Sequence, residues 1–292
     1  MTTRTGNFAI GFRRGGSEWQ KNLPVLAAWA AQQGFEALDL REPNAADLAA
    51  LAERKLRVGS VDFIHAGKVV SKDPAERKDH VARGIEYIRQ CAAAGCRIIF
   101  TVIPASDSTA RASANYAVAV ESFAPLAAAA HEAGAVIAVE GWPGGRPAYA
   151  NLVCNPEQYR AFLKDCGAGV AINFDPSHLI RMGIDPMRFL GEFAPRVRHV
   201  HGKDTQIVAE NIYELGLYQE SISRKGFGYG EWAWRYTIPG HGVARWPEML
   251  SVLKQAGFAG IVSVELEDCN FNGTEEGEKA GLVHSLNFLR GA

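Results

Sequence analysis

Eight short apolar runs recur along the chain, at residues 8–13, 37–40, 58–63, 97–103, 136–142, 170–175, 197–201 and 260–267. Several are apolar almost without interruption, as in Ile98-Ile99-Phe100-Thr101-Val102-Ile103 and Val136-Ile137-Ala138-Val139. A strand covered on both faces reads this way, because neither set of alternating side chains meets water. Amphipathic stretches with helix punctuation lie between the runs. Residues 19–33 stop at Gly34, residues 74–94 follow Asp73 and stop at Gly95, and the Ala-rich residues 110–133 stop at Gly134. Residues 156–165, 186–193, 246–255 and 274–289 follow. Three helices open on Asp or Asn followed by Pro: Asp73-Pro74, Asn155-Pro156 and Asp185-Pro186. These are N-cap, first-turn and terminal-glycine signals.

The recurring strand–helix order predicts a parallel α/β fold, and eight units predict a closed (β/α)8 TIM barrel occupying residues 1–292 as a single domain. A doubly wound nucleotide fold should place G-x-G-x-x-G after its first strand. Here the first strand runs into Gly11-Phe12-Arg13-Arg14-Gly15-Gly16, which lacks that spacing, and no P-loop pattern occurs.

A formal net charge of −1 gives no global basic field, which argues against nucleic acid and anionic membranes as partners. No apolar run approaches bilayer length, and Met1-Thr2-Thr3-Arg4-Thr5-Gly6-Asn7 has no apolar signal core. The five cysteines are scattered, with no C-x-x-C pair, as expected of small buried residues in a reducing compartment. The expected location is the cytoplasm.

Residues 205–245 show no long regular element, yet they carry Tyr213, Tyr218, Phe227, Tyr229, Trp232, Trp234 and Tyr236. So much aromatic content argues against disorder, and a long loop after a barrel strand belongs to the catalytic face.

Four strands end on a metal-binding residue type. Glu140 closes Val136-Ile137-Ala138-Val139, Asp175 closes Ala171-Ile172-Asn173-Phe174, His201 closes Val197-Arg198-His199-Val200, and Glu265 closes Ile261-Val262-Ser263-Val264. Any one of these alone reads as a solvated residue or a helix cap. Three carboxylates converging on one barrel mouth would repel one another unless a cation compensated them. Mixed carboxylate and imidazole ligation suits one divalent ion, Mn foremost, with Co, Mg or Zn as alternatives.

The segments Ala138-Val139-Glu140-Gly141-Trp142-Pro143, Asn173-Phe174-Asp175-Pro176-Ser177-His178, His199-Val200-His201-Gly202-Lys203-Asp204 and Ser263-Val264-Glu265-Leu266-Glu267-Asp268 together resemble the sugar phosphate isomerase/epimerase superfamily. This xylose isomerase-like barrel group includes ketose 3-epimerases, inosose dehydratases and AP endonuclease family 2, and the resemblance covers nearly the whole chain. It implies that Glu140, Asp175, His201 and Glu265 bind the metal, and that Glu140 and Glu265 shuttle protons as the catalytic pair. His178 falls where relatives place a substrate-contacting histidine. Trp142, His65, Lys203, Trp232 and Trp234 are further candidate substrate contacts. Lys203 has the alternative of pairing with Asp204, and His199 reads as a hydrogen-bonded core histidine one layer below His201.

The AP endonuclease pattern needs extra histidines that are missing. The fourth strand ends Val102-Ile103-Pro104, and the late positions read Trp234-Arg235-Tyr236 and Pro239-Gly240-His241. The expected function is therefore a metal-dependent isomerase or epimerase of a small carbohydrate, acting by proton abstraction beside a carbonyl. The alternatives are a lyase or dehydratase acting on an inosose or 3-keto-glycoside, then an AP endonuclease-like enzyme or a non-catalytic sugar-binding barrel. A homodimer is the expected assembly.

Overall fold

The computed structural model describes residues 2–146 and 148–292. Eight parallel strands close into a barrel: β1 (Ala9–Arg13), β2 (Ala37–Leu40), β3 (Arg57–Asp62), β4 (Ile98–Thr101), β5 (Val136–Val139), β6 (Val170–Phe174), β7 (Val197–Gly202) and β10 (Ile261–Val264). Neighbours pair in chain order, and β10 returns beside β1 with Gly11 opposite Ser263. Each of the eight barrel strands coincides with an expected run to within a few residues, because burial on both faces leaves an unbroken apolar signature.

The outer ring is α1 (Glu18–Lys21), α2 (Leu23–Gln33), α3 (Ala45–Glu53), α4 (Pro74–Ala93), α5 (Ala112–Glu132), α6 (Pro156–Cys166), α7 (Pro176–Arg181), α8 (Pro186–Phe193), α10 (Trp246–Gln255) and α11 (Glu275–Gly291). The expected helix at 19–33 is two helices. Pro24 sits in the first turn of α2, where Asn22 caps the amide of Val25, so the chain restarts there instead of running through. Gly34 closes α2 at φ 91°, a left-handed conformation that costs glycine little. Helix α3 is an addition to the elements expected from the sequence; Asn44 caps it through the amide of Asp47.

The main core lies between barrel and helices, where Phe12, Phe123, Phe162, Phe174 and Trp246 are fully buried. Inside the barrel the side chains change character along the axis. Small apolar Ala9 and Ala37 pack with Ile261 in a separate cluster, and polar residues lie beyond them.

Residues 205–245 correct the expectation of an irregular loop. β8 (Asp204–Ile207) and β9 (Trp234–Thr237) form an antiparallel pair with Thr205 opposite Tyr236, and α9 (Ala209–Leu215) lies between them. Asp204 anchors this excursion by accepting the amides of Thr205, Gly240 and Ala244. No helix among the described residues is long and apolar enough to cross a membrane. All five cysteines are free thiols.

Candidate metal centre

Strand register puts the polar side chains in the barrel lumen. Glu140 follows β5, Asn173 lies on β6 with Asp175 just past its end, His199 and His201 lie on β7, and Glu265 follows β10. Period-two alternation sends each of these residues the same way as its partner two positions earlier.

Glu140, Asp175, His178 and Glu265 each bring one ligand atom to within 4.8 Å of all the others. His201 joins them through Nδ1, which lies 2.6 Å from Glu140 Oε2 and 3.4 Å from Glu265 Oε2. The four strand-end residues therefore converge on one mouth, and His178 is drawn into the same cluster. The short helix α7 brings it there: its Nε2 lies 3.2 Å from Glu140 Oε1 and 3.3 Å from Asp175 Oδ2.

The donor set fits a divalent cation. Asp175 Oδ2 and His201 Nδ1 are buried, and neither is aligned for a hydrogen bond with its neighbours, while His201 Nε2 turns the other way, 3.8 Å from Asp39 Oδ2. Buried polar atoms are normally satisfied, so unsatisfied ones facing a shared space mark a place for a missing partner. Carboxylate oxygens with an imidazole nitrogen are the ligands such an ion takes.

Charge is dense here. Burial opposes ionisation of Glu265, yet Lys203, His201 and Arg13 outweigh it and hold its carboxyl well below the usual range. Burial also opposes a charge on His201, but Glu265 and Glu140 push its pKa well above the ordinary imidazole value. Lys203 is fully buried. Its Nζ lies 2.5 Å from Glu265 Oε2, 2.9 Å from Glu267 Oε2 and 3.3 Å from Asp175 Oδ2. Lys203 therefore pairs with these carboxylates; Asp204 is engaged by backbone amides instead.

Other candidates lie around this centre. His199 meets Asp39 Oδ2 through Nε2, 3.0 Å away, in a closed buried pair. Trp142 is 38% exposed at the rim. Trp232 lies under the Arg146 guanidinium and Trp234 under that of Arg181. His65 lies apart from the carboxylates: its Nδ1 meets His80 Nδ1 at 3.3 Å, and its ring packs on Phe63 and Tyr87.

Four site residues were not singled out from the sequence. Tyr236 reaches down from β9 so that its hydroxyl meets His178 Nδ1 at 2.7 Å. Asn173 donates to Glu140 Oε2 at 2.5 Å. Arg13, at the end of β1, pairs with Asp62 at 2.7 Å, approaches Glu265 Oε1 at 3.4 Å and covers the Phe100 ring. Asp39 interrupts the apolar run Ala37-Leu38-Asp39-Leu40. A charge at an inward position of a buried strand is the signal that could have found it.

Comparison with known proteins agrees with this architecture. Residues 26–292 match the family described as xylose isomerase-like TIM barrel. Over 143 residues the chain is 34% identical to the uncharacterized protein YfiH of Bacillus subtilis (strain 168), covering 48% of this chain and 43% of that one. Over 99 residues it is 31% identical to inosose dehydratase 1 of Bacillus cereus, covering 34% of this chain and 30% of that one. The matched stretches thus span less than half the length of each curated relative. Among solved structures, 3-keto-D-glucoside 4-epimerase YcjR from E. coli superposes with a TM-score of 0.69 at 17% identity, covering 97% of this chain and 99% of that one.

Proposed function

The chain belongs to the xylose isomerase-like TIM barrel family, and within it we propose a divalent-metal-dependent isomerase or epimerase of a small keto-sugar. The observation that carries this reading is the convergence of Glu140, Asp175, His178 and Glu265 at one mouth, where buried atoms of Asp175 and His201 lack hydrogen bonds. Glu140, Asp175, His201 and Glu265 would hold the ion, with manganese favoured by the oxygen-rich set. When bound, a divalent ion supplies Lewis acidity that polarises a carbonyl and acidifies the neighbouring C–H.

The chain's own residues supply the proton chemistry. Glu140 is fixed by Asn173 and by His178, and Tyr236 in turn fixes the His178 ring. A carboxylate so oriented takes a proton from carbon without first reorganising. Glu265, the second carboxylate of the cluster, accepts from Lys203 Nζ at Oε2; a proton passed from Lys203 through this carboxylate would go to the opposite face of the carbon, and the proton taken by Glu140 would return to Lys203 through solvent. Arg13 and Lys203 also offset the negative charge that grows at the mouth as the C–H bond breaks. The β8–β9 excursion brings Tyr236 and Trp234 against this centre and restricts water.

An elimination reading has one specific support, the 31% identity to an inosose dehydratase. It shares the first step and then expels a β-oxygen. Incubating the metal-loaded protein with a panel of keto-sugars and inososes in D2O, read by NMR, separates the two. The proposal expects solvent deuterium at an inverted or isomerised carbon. An unsaturated ketone absorbing in the ultraviolet contradicts it in favour of elimination. Inversion without deuterium contradicts the two-carboxylate assignment.

A further inference from the structure

Two hollows lie beside the metal-binding mouth and share lining residues, an inner one that reaches Glu265 and an outer one, open to solvent, that reaches Tyr236. The inner one, about 210 Å³, is bordered by Glu265, Glu267, Arg13 and Tyr229. The outer one, about 500 Å³, runs from Tyr236 and Glu267 past Tyr229 to Trp142, Trp232 and Arg181. Tyr229 and Glu267 belong to both.

The shared lining is built rather than incidental. Tyr229 adopts φ 56°, a left-handed conformation that is uncommon outside glycine and asparagine. Its carbonyl accepts the Tyr236 amide at 2.8 Å. Gly230 follows it, and a Cβ there would stand 2.5 Å from the Trp234 carbonyl oxygen. The backbone of β9 thus clamps Tyr229 in place, while its side chain stays 44% exposed between the hollows.

The outer walls have the chemistry of a sugar-ring site. Trp142 is exposed, and among the described residues no ring or guanidinium covers its indole, whereas Trp232 and Trp234 are covered by Arg146 and Arg181. An uncovered indole face receives the C–H face of a pyranose. Around it stand planar, hydrogen-bonding groups: Arg181, which donates to the Gly144 carbonyl at 2.6 Å, and Glu231, paired with Arg146 at 2.6 Å. The outer lining carries two guanidinium groups, Arg146 and Arg181, against three carboxylates, Glu220, Glu231 and Glu267. Both guanidinium groups are already engaged by protein acceptors. That balance disfavours a phosphate and suits a neutral polyol.

We propose that the outer hollow is the subsite for the second ring of a neutral glycoside, so that this protein acts on a disaccharide-sized keto-sugar in preference to a free or phosphorylated monosaccharide. The inference rests on the keto-sugar reading of the mouth. Trp142 is its stacking platform, and Tyr229 marks the passage of the glycosidic link.

The test compares three ligands on the metal-loaded protein: 3-ketoglucose, the 3-keto form of a neutral glucose disaccharide, and 3-ketoglucose 6-phosphate. Calorimetric Kd and kcat/KM are measured for each. The disaccharide is expected to bind at least tenfold more tightly than the monosaccharide. Trp142→Ala is expected to shrink that ratio about tenfold, and Trp142→Phe to restore most of it. Equal affinity for mono- and disaccharide overturns the subsite, as does a ratio unmoved by Trp142→Ala. Tightest binding of the phosphate overturns the neutral-ligand assignment. Failure of all three ligands to bind overturns the keto-sugar reading itself, and the subsite with it.

Discussion

Two buried carboxylates on neighbouring levels of the barrel lumen are treated differently. Asp39 is closed off: its Oδ1 accepts the Ser60 amide at 2.9 Å and its Oδ2 meets His199 at 3.0 Å. Asp175 spends its Oδ1 on the Ser177 amide at 2.8 Å and leaves Oδ2 without a hydrogen bond. Both side chains are out of water, so the desolvation problem is the same. At Asp39 the fold answers it with a hydrogen-bonded pair; Asp175 Oδ2 has ion-pair distances of 3.3 Å to Lys203 Nζ and 3.3 Å to His178 Nε2 but no aligned hydrogen bond. A hydrogen-bonded buried pair holds a barrel together, and a buried carboxylate oxygen without an aligned hydrogen bond has room for a ligand.

The largest expected effect separates these two levels by activity. Glu140→Gln and Glu265→Gln should each lower turnover by about 100- to 10,000-fold, the usual loss for a positioned base. Both carboxyls are held below the usual range, Glu265 by Lys203 and His201 and Glu140 by His201, so each variant should also lose part of that stabilisation near neutral pH. Metal content of each variant, measured in parallel, separates lost base from lost ion. Unchanged turnover in either metal-loaded variant would remove that carboxylate from the catalytic pair.

The deeper level should answer in stability. Asp39→Ala leaves His199 buried without its partner and should cost about 3–5 kcal/mol in urea unfolding, as breaking a buried pair does. A loss below about 1 kcal/mol would mean that the pair does not hold the lumen.

Above the mouth the effects shrink. Trp232→Ala and Trp234→Ala should each weaken turnover several-fold while leaving metal content unchanged, because these rings border the substrate space and contact no ligand atom. Full activity in both variants would assign the β8–β9 excursion to packing or assembly instead.

The smallest effect lies away from the ligand cluster. Burial raises the pKa of Glu278, but hydrogen bonds from Ser17, Trp19 and Gln20 outweigh it and hold the carboxyl below its ordinary value. A carboxyl depressed in the folded state contributes stability above its unfolded pKa and loses it as pH falls through the folded one. Glu278→Gln should therefore lower stability near neutrality and flatten the acid limb of the melting curve below about pH 4.5, where the wild type has already given up the same contribution.

The strands were legible because a both-faced burial pattern is local, and the four ligand candidates were legible because each ends such a strand. Asn173 and Arg13 carried no comparable mark. An inward polar residue beside a ligand looks like any other until the register places it. Tyr236 was harder still. It reaches His178 only through the pairing of β8 with β9, in which Thr205 lies opposite Tyr236 across a long excursion of the chain. Nothing within a local window encodes that pairing, so the segment read as a loop. The break at Asn22 shows the reverse case, in which Pro24 was visible and the helical periodicity on either side masked it.

The mouth is expected to hold one divalent ion on Glu140, Asp175, His201 and Glu265. Titrating chelator-treated protein with Mn²⁺ by calorimetry tests it most directly, alongside Asp175→Ala and His201→Ala. Saturable binding of one ion per chain is expected in the wild type, with at least a tenfold loss of affinity in each variant while the fold persists by circular dichroism. Absence of saturable binding, or binding that both variants leave untouched, would contradict it.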